Sequence, residues 1–240
     1  MQDKIRLQPL VRLEDGKIWG YEALYQKNSN ELYPSALEII SQIFSKCNPQ
    51  SDCKFFINLT IEDVANKNFC DSLLKILDKK NTDADKIVLE INETTHPDIL
   101  MEAKKSLSLL NHHNIKIALD DFGTEYSSLF FMSEFPIDIV KIDKKFVQEA
   151  TSSRKLRTLI KHCVEISHDF GCKVVAEGIE TKAQLECIEN SNADLGQGFL
   201  FSAPFGDKNF YNSNPFIKLS DFISYLSSAS LTSPIENYAL

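Results

Sequence analysis

The sequence predicts an α/β fold built as a TIM-like (β/α)8 barrel. Three observations carry this expectation. Short apolar, strand-like runs alternate with amphipathic helical runs, and the 240 residues approach the size of such a barrel. Nearly every strand-like run also ends in a carboxylate, an amide or a lysine. In a barrel those ends converge on one rim, whereas an open doubly wound sheet, the competing topology, spreads them along an edge.

The chain opens with a hairpin signal. Residues 5–13 and 17–24 are apolar-rich runs joined through Glu14-Asp15-Gly16, where Asp-Gly supplies the positive φ of a tight turn. Strand-like runs follow at 54–58, 87–91, 116–120, 137–142, 173–177 and 195–199, which makes eight with the hairpin. Helical periodicity fills the gaps at 35–46, 61–80, 99–113, 154–170 and 182–189, with a last helix near 217–227. Thr60 and Thr181 are placed to cap the helices after them, and Asn111 to Asn114 and Gly171 close the helices before them. No composition break or linker interrupts residues 1–228, which read as one domain, followed by a Ser-rich tail at 229–240.

Hydrophobic residues make up 43% and charged residues 25% of the chain, the proportions of a soluble globular protein. No apolar run approaches a membrane span, and the N-terminal MQDKIRLQPL lacks the apolar core of a secretory signal. Cys47, Cys53, Cys70, Cys163, Cys172 and Cys187 are scattered without a CxxC, as expected for reduced thiols in the cytoplasm. The five histidines sit apart from every motif. A net charge of −8 excludes a non-specific binder of nucleic-acid polymers. A phosphorylated small molecule is compatible only if a local positive charge, such as a bound divalent cation, neutralises it.

The strand ends, in order, are Glu22, Asn58, Glu90, Asp120-Asp121, Lys141, Glu177 and Gln197. Each alone reads as a cap, a turn residue or an ion-pair partner. Together they place five carboxylates and a single lysine at one barrel mouth, and a divalent cation resolves that conflict. The donors are hard oxygens without His or Cys, which suits Mg²⁺ or Mn²⁺ rather than zinc. The adjacent aspartates suggest two ions, one Asp bridging and the other binding the second ion alone. Such pairs, roughly 3.5–4 Å apart, serve in-line hydrolysis of phosphate esters.

In sequence order, YEAL at 21–24, NLT at 58–60, LEINE at 89–93, DDFGT at 120–124, KID at 141–143, EGIE at 177–180 and QGFLFSAP at 197–204 resemble the successive motifs of the EAL-domain family. That family comprises bacterial phosphodiesterases that open cyclic di-GMP to linear pGpG. The resemblance runs from QPL at 8–10 to Pro204 and beyond. It implies a barrel whose first strand runs antiparallel to the rest, in agreement with the hairpin. It further implies that Glu22, Asn58, Glu90 and Asp120 bind one metal, and that Asp120, Asp121 and Glu177 serve the second metal and its water. By the same resemblance Lys141 orients or helps to activate that water, and Gln197 holds water or substrate. Gln8 and the backbone near Leu24 match positions that contact the nucleotide, and Glu93 matches a glutamate that steadies the loop after Asp121. That loop is tied in the family to dimerisation, so a homodimer is expected.

Two positions depart from the family pattern. Gln26 stands where the family commonly has a phosphate-gripping arginine, a loss of roughly 1.5–3 kcal/mol unless another basic residue substitutes. Glu125 stands where the family usually has glycine, which adds an acid to the mouth and stiffens the loop. These departures motivate a second reading, a catalytically weak or inactive receptor for cyclic di-GMP or a protein-interaction module. A barrel glycosidase with Glu90 and Glu177 as its acid and nucleophile is a third, but it leaves Asn58, Asp121 and Lys141 unexplained.

Overall fold

Two strands joined by a tight turn start the sheet, and everything after them is parallel. The computed structural model describes residues 4–26, 33–46, 53–92, 97–123, 128–202 and 205–206. Strands β1 (Ile5–Arg12) and β2 (Ile18–Tyr25) pair antiparallel, from Ile5↔Tyr25 to Val11↔Ile18. There follow α1 (Ala36–Lys46), β3 (Lys54–Leu59), α2 (Ile61–Ala65), α3 (Lys67–Lys80), β4 (Ile87–Ile91) and α4 (Pro97–His112). The second half holds β5 (Lys116–Phe122), α5 (Ser128–Glu134), β6 (Ile139–Ile142), α6 (Lys144–Glu149), α7 (Arg154–Asp169), β7 (Lys173–Ala176), α8 (Lys182–Glu189), β8 (Leu195–Gly196) and β9 (Phe205–Gly206).

Strands β2 through β8 run parallel in sequence order. β1 closes the ring, antiparallel to both β2 and β8, while β9 pairs with β1 beyond the end of β8. The closed barrel with a reversed first strand is therefore present, and the open sheet is not. The seam is short: β8 meets β1 only through Val11↔Gly196 and Arg12↔Leu195.

Apolar side chains fill both faces of the sheet. The outer face packs under the helices, and the barrel interior is plugged by Leu10, Phe56, Val88, Ala118, Ile139, Val175 and Leu195, none more than 2% exposed. β2 contributes Gly20 opposite Leu10. A Cβ there would stand 2.6 Å from the Lys54 carbonyl oxygen, so glycine lets β2 and β3 approach. Trp19 packs against the plug, its ring 5.7 Å from that of Phe56.

Several boundaries differ from the sequence expectation, each for a local reason. The single helix expected over 61–80 is two, because Asn66 is extended (φ −69, ψ 118) and its side chain caps α3 by accepting from the Asn68 amide. Helices α5 and α6 are too short to display a 3.6-residue period, and neither was expected. The run at 195–199 ends as a strand at Gly196, because the chain turns at Gly198 against the backbone of Ile179. A Cβ on Gly198 would lie 2.1 Å from the Ile179 carbonyl oxygen. β6 starts at Ile139 rather than 137, and β7 stops at Ala176. Thr60 and Thr181 both form capping boxes, and Asn114 and Gly171 end their helices with positive φ, as expected. Glu93, Glu125, the helix expected near 217–227 and the tail at 229–240 lie outside the described residues. No helix among the described residues is long and apolar enough to cross a membrane.

The plug sets the floor of the mouth, so its loss is felt as stability. Phe56→Ala removes a fully buried ring from the barrel interior. It is expected to cost about 3–5 kcal/mol in urea denaturation, with the midpoint shifted and the slope unchanged.

Candidate metal centre at the barrel mouth

The mouth is built by strand alternation. Side chains two residues apart share a face, so one step beyond the apolar plug every strand presents its next inward side chain. Phe56 is followed by Asn58, Val88 by Glu90, Ala118 by Asp120, Ile139 by Lys141, Val175 by Glu177 and Leu195 by Gln197. Gly20 leads likewise to Glu22, and on reversed β1 the residue nearer the mouth is Gln8, paired with Glu22. The sequence-predicted residues on the strands are thus one polar ring on an apolar floor, with half-buried Leu24 in the layer above Glu22.

Asp121 breaks the alternation. Register between β5 and β6 shifts between Leu119 and Phe122, and Asp121 adopts a left-handed backbone with φ 54. Neighbouring strand residues ordinarily point to opposite faces. The bulge turns Asp121 back, and aspartate tolerates that conformation better than most residues. Carboxylate oxygens of Asp120, Asp121 and Glu177 consequently lie within 4.8 Å of one another. The adjacent acids therefore share one site.

Lys141 is the positive centre of the ring. It is 1% exposed, and its Nζ lies 2.6 Å from Glu90 Oε1, 2.7 Å from Glu177 Oε1, 3.0 Å from Asp120 Oδ1 and 3.9 Å from Glu22 Oε2. Burial alone would lower its pKa, but Glu22, Glu90, Glu177 and Asp120 together hold it well above the usual lysine value. One ammonium cannot neutralise four carboxylates. Complete burial pushes Glu90 well above the ordinary range, with Lys141 opposing and Glu22 and Asp120 adding to the rise. Burial also raises Glu177 to about 7, against Lys141 and with Asp120. Asp121 rises to about 6 through burial, then through Asp120 and Asp143 beside it. Glu22 is the exception. Burial pushes it up, yet Lys141, Gln197 and Asn58 outweigh that and leave it below its ordinary value.

Amides bind the ring at the seam. Asn58 Nδ2 donates to Glu22 Oε1 at 3.0 Å, and Gln197 Nε2 donates to Glu22 Oε2 at 2.6 Å. Gln197 Nε2 also reaches Gln8 Oε1 at 3.2 Å, and Gln8 Nε2 donates to the Ser202 carbonyl at 3.4 Å. Side chains thus join β8 to β1 and β2 above the short backbone pairing.

Acids at the opposite end of the strands show what a purely structural carboxylate does here. Asp138, before β6, accepts from Asn111, Lys116 and the Ile117 amide. Asp194, before β8, contacts His168 and accepts from the Val174 amide. In the mouth, by contrast, Glu90 Oε1 and Asp120 Oδ1 meet the shared Lys141 ammonium at 2.6 and 3.0 Å, and Glu90 Oε2 and Gln197 Oε1 are buried without a hydrogen-bond partner among the described residues. Buried oxygens in that state need a cation or a donor. The donor set is all oxygen, so the residues present fit Mg²⁺ or Mn²⁺.

A cavity of about 270 Å³ opens over the ring, bounded by Glu22, Asp120, Lys141 and Glu177 on the floor and by Lys144 and Phe199 at the rim. Sequence reasoning assigned no role to Asp143, Lys144 or Phe199. Asp143 is buried, stands beside Asp121 and caps α6 by accepting from the Lys145 amide, so an N-cap reading of KIDKKF was the available signal. Phe199 is 58% exposed beside Gly198, where an apolar ring in water carries no periodic signal.

An acid-ringed barrel with a reversed first strand defines the class, and the comparisons name it. The EAL domain family matches residues 32–204, and the chain belongs to that family, a family of cyclic di-GMP phosphodiesterases. It is 36% identical over 137 residues to the cyclic di-GMP phosphodiesterase PdeL of Escherichia coli K12, covering 57% of this chain and 38% of PdeL. The EAL domain of Mycobacterium smegmatis DcpA superposes with a TM-score of 0.78 at 23% identity, covering 88% of this chain and 95% of that domain, a likeness of fold. Klebsiella pneumoniae BlrP1, in its complex with calcium and cyclic di-GMP, gives a TM-score of 0.75 at 26% identity, covering 85% of this chain and 56% of BlrP1. The chain spans well under half the length of the curated relatives it matches first.

Proton linkage follows from the raised carboxyls. Glu177 at about 7 and Asp121 at about 6 must both lose protons before they can bind a cation. Both are largely ionised at pH 8 and protonated below pH 5. Affinity for Mn²⁺ should therefore fall about tenfold to twentyfold between pH 8 and pH 6, with protons released on binding. Calorimetry in two buffers of different ionisation enthalpy measures both effects.

Proposed function

We propose that the protein is a metal-dependent phosphodiesterase that hydrolyses cyclic di-GMP to linear pGpG by in-line attack of water. The observation that carries the reading is the cluster of carboxylates at the mouth, where Glu22, Glu90, Asp120 and Glu177 share Lys141 and oxygens of Asp120, Asp121 and Glu177 lie within 4.8 Å of one another. Glu22, Asn58, Glu90 and Asp120 would hold one Mg²⁺ or Mn²⁺, and Asp120, Asp121 and Glu177 a second. When bound, such a pair stabilises the attacking and leaving oxygens of a phosphate ester.

The chain's own groups do the rest. Glu177, beside Asp120 and Asp121 at the mouth, would serve the second metal and accept a proton from the attacking water. Lys141 Nζ, 2.7 Å from Glu177, fixes that carboxylate and would orient the attacking water. Gln197, with Oε1 unsatisfied, is available to hold water or substrate. Gln8 and Leu24 stand in the same wall for the nucleotide, and Glu93 is proposed to support the loop after Asp121. PdeL carries the name of a cyclic di-GMP phosphodiesterase, and BlrP1 is described in complexes of calcium or manganese with cyclic di-GMP, which supports both substrate and cofactor.

The proposal includes a cytoplasmic homodimer. Free thiols at Cys70, Cys163, Cys172 and Cys187 support the compartment, and the exposed Leu129 and Phe130 of α5 offer apolar surface for the dimer. The glycosidase reading fails on geometry, because Glu90 is 1% exposed beneath Lys141 and cannot reach a sugar.

Nucleotide chromatography tests the reading. Purified protein with Mg²⁺ or Mn²⁺ is expected to convert cyclic di-GMP to pGpG, and EDTA to stop it. Glu22→Ala should lower the rate about a hundredfold. Intact cyclic di-GMP after prolonged incubation with either metal would overturn the assignment.

A further inference from the structure

We infer that Arg6 grips a phosphate of the dinucleotide above the metal-binding ring; the inference rests on the function proposed above. The mouth has a charge problem that the ring does not solve. The chain carries 34 acidic against 26 basic residues, and a phosphodiester brings further negative charge. Lys141 is already shared among Glu22, Glu90, Asp120 and Glu177, so its charge is spent inside the ring.

Arg6 occupies that upper layer. On β1 the inward face runs from Leu10 in the plug to Gln8 in the ring and then to Arg6, two residues or about 7 Å nearer the mouth than Gln8. It pairs across β2 with Leu24, as Gln8 pairs with Glu22. Gln26 continues that same face of β2, and its amide donates to the Lys4 carbonyl at 2.8 Å, extending the ladder past the strand end. Arg6 Nε donates to Gln26 Oε1 at 3.0 Å. This bond holds the half-buried guanidinium by its Nε edge and leaves its two terminal nitrogens for another acceptor. Among the described residues Arg6 forms no ion pair with a carboxylate.

A guanidinium fixed by one edge and without an acid partner suits a phosphate, whose oxygens accept its parallel N–H donors. Lys144 lines the cavity over the ring together with Glu177 and Glu180. Its Cβ presses under Gly178, where an added Cβ would clash with it. Gln26 is then a tether for the arginine, not a gap in the site.

The test uses wild type, Arg6→Gln, the double variant Arg6→Gln with Gln26→Arg, and Arg154→Gln on α7 as a charge-matched control. Affinity for cyclic di-GMP is measured in Ca²⁺, with the ligand recovered and checked as intact, and kinetics are followed in Mn²⁺. Arg6→Gln is expected to raise Kd and KM about 10- to 100-fold with kcat nearly unchanged, and to flatten the salt dependence of binding. The double variant should recover most of the affinity, because a guanidinium returns to the same face from the adjacent strand, and Arg154→Gln should match wild type. If wild type cleaves and Arg6→Gln binds within about twofold of it, the role of Arg6 is overturned and the phosphodiesterase assignment stands. A lower thermal midpoint and kcat with KM unchanged would show Arg6 to be structural and also overturn the inference. Wild type that neither binds nor cleaves would overturn both.

Discussion

One buried ammonium facing four carboxylates is the constraint around which this mouth is organised. Lys141 keeps its charge because its neighbours are acids, and the acids cannot all keep theirs because one ammonium is shared among them. Breaking such a buried arrangement by removing one partner typically costs about 3–5 kcal/mol, so the fold carries the conflict as a fixed cost. Glu90 Oε2, buried without a hydrogen-bond partner among the described residues, is its visible residue. A site with spare negative charge, hard donors and an opening of about 270 Å³ is suited to draw in divalent cations and, through them, a phosphate ester.

The barrel makes this concentration of charge possible. Its plug of Leu10, Phe56, Val88, Ala118, Ile139, Val175 and Leu195 closes the interior to water and sets every next inward residue at one level. Only Asp121 is added out of phase, and it needs a bulge and a left-handed backbone to join. The reversed first strand has its own consequence. It brings Gln8 and Arg6 to the rim from the opposite chain direction, so β1 and β2 form a single wall that rises above the ring. The short backbone seam to β8 is completed by the amides of Gln197 and Gln8, which makes the closure of the barrel and the shape of the site one hydrogen-bonded unit.

Much of this was legible in the sequence because strand-end chemistry survives as a pattern. Apolar runs ending in Glu90, Asp120, Lys141 and Glu177 announce both a strand and the polar layer above it. The hairpin through Asp15-Gly16 was legible from its turn residues, and the reversed first strand came from the family resemblance with which that hairpin agrees. What stayed hidden was set by distance or by shortness. Asn66 looks like one more helical residue until its backbone is seen extended, and α5 and α6 are too brief for a period to show. Asp143 reads as a cap, and its second neighbour, Asp121, is visible only in three dimensions. The tether between Arg6 and Gln26 spans the hairpin, and no local pattern records it.

Anomalous diffraction from crystals soaked in Mn²⁺ tests the central claim most directly. Two peaks are expected at the mouth, one among Glu22, Asn58, Glu90 and Asp120 and one among Asp120, Asp121 and Glu177, with Lys141 still buried between the acids. A soaked mouth without anomalous density, or carboxylates turned away from one another, would contradict it.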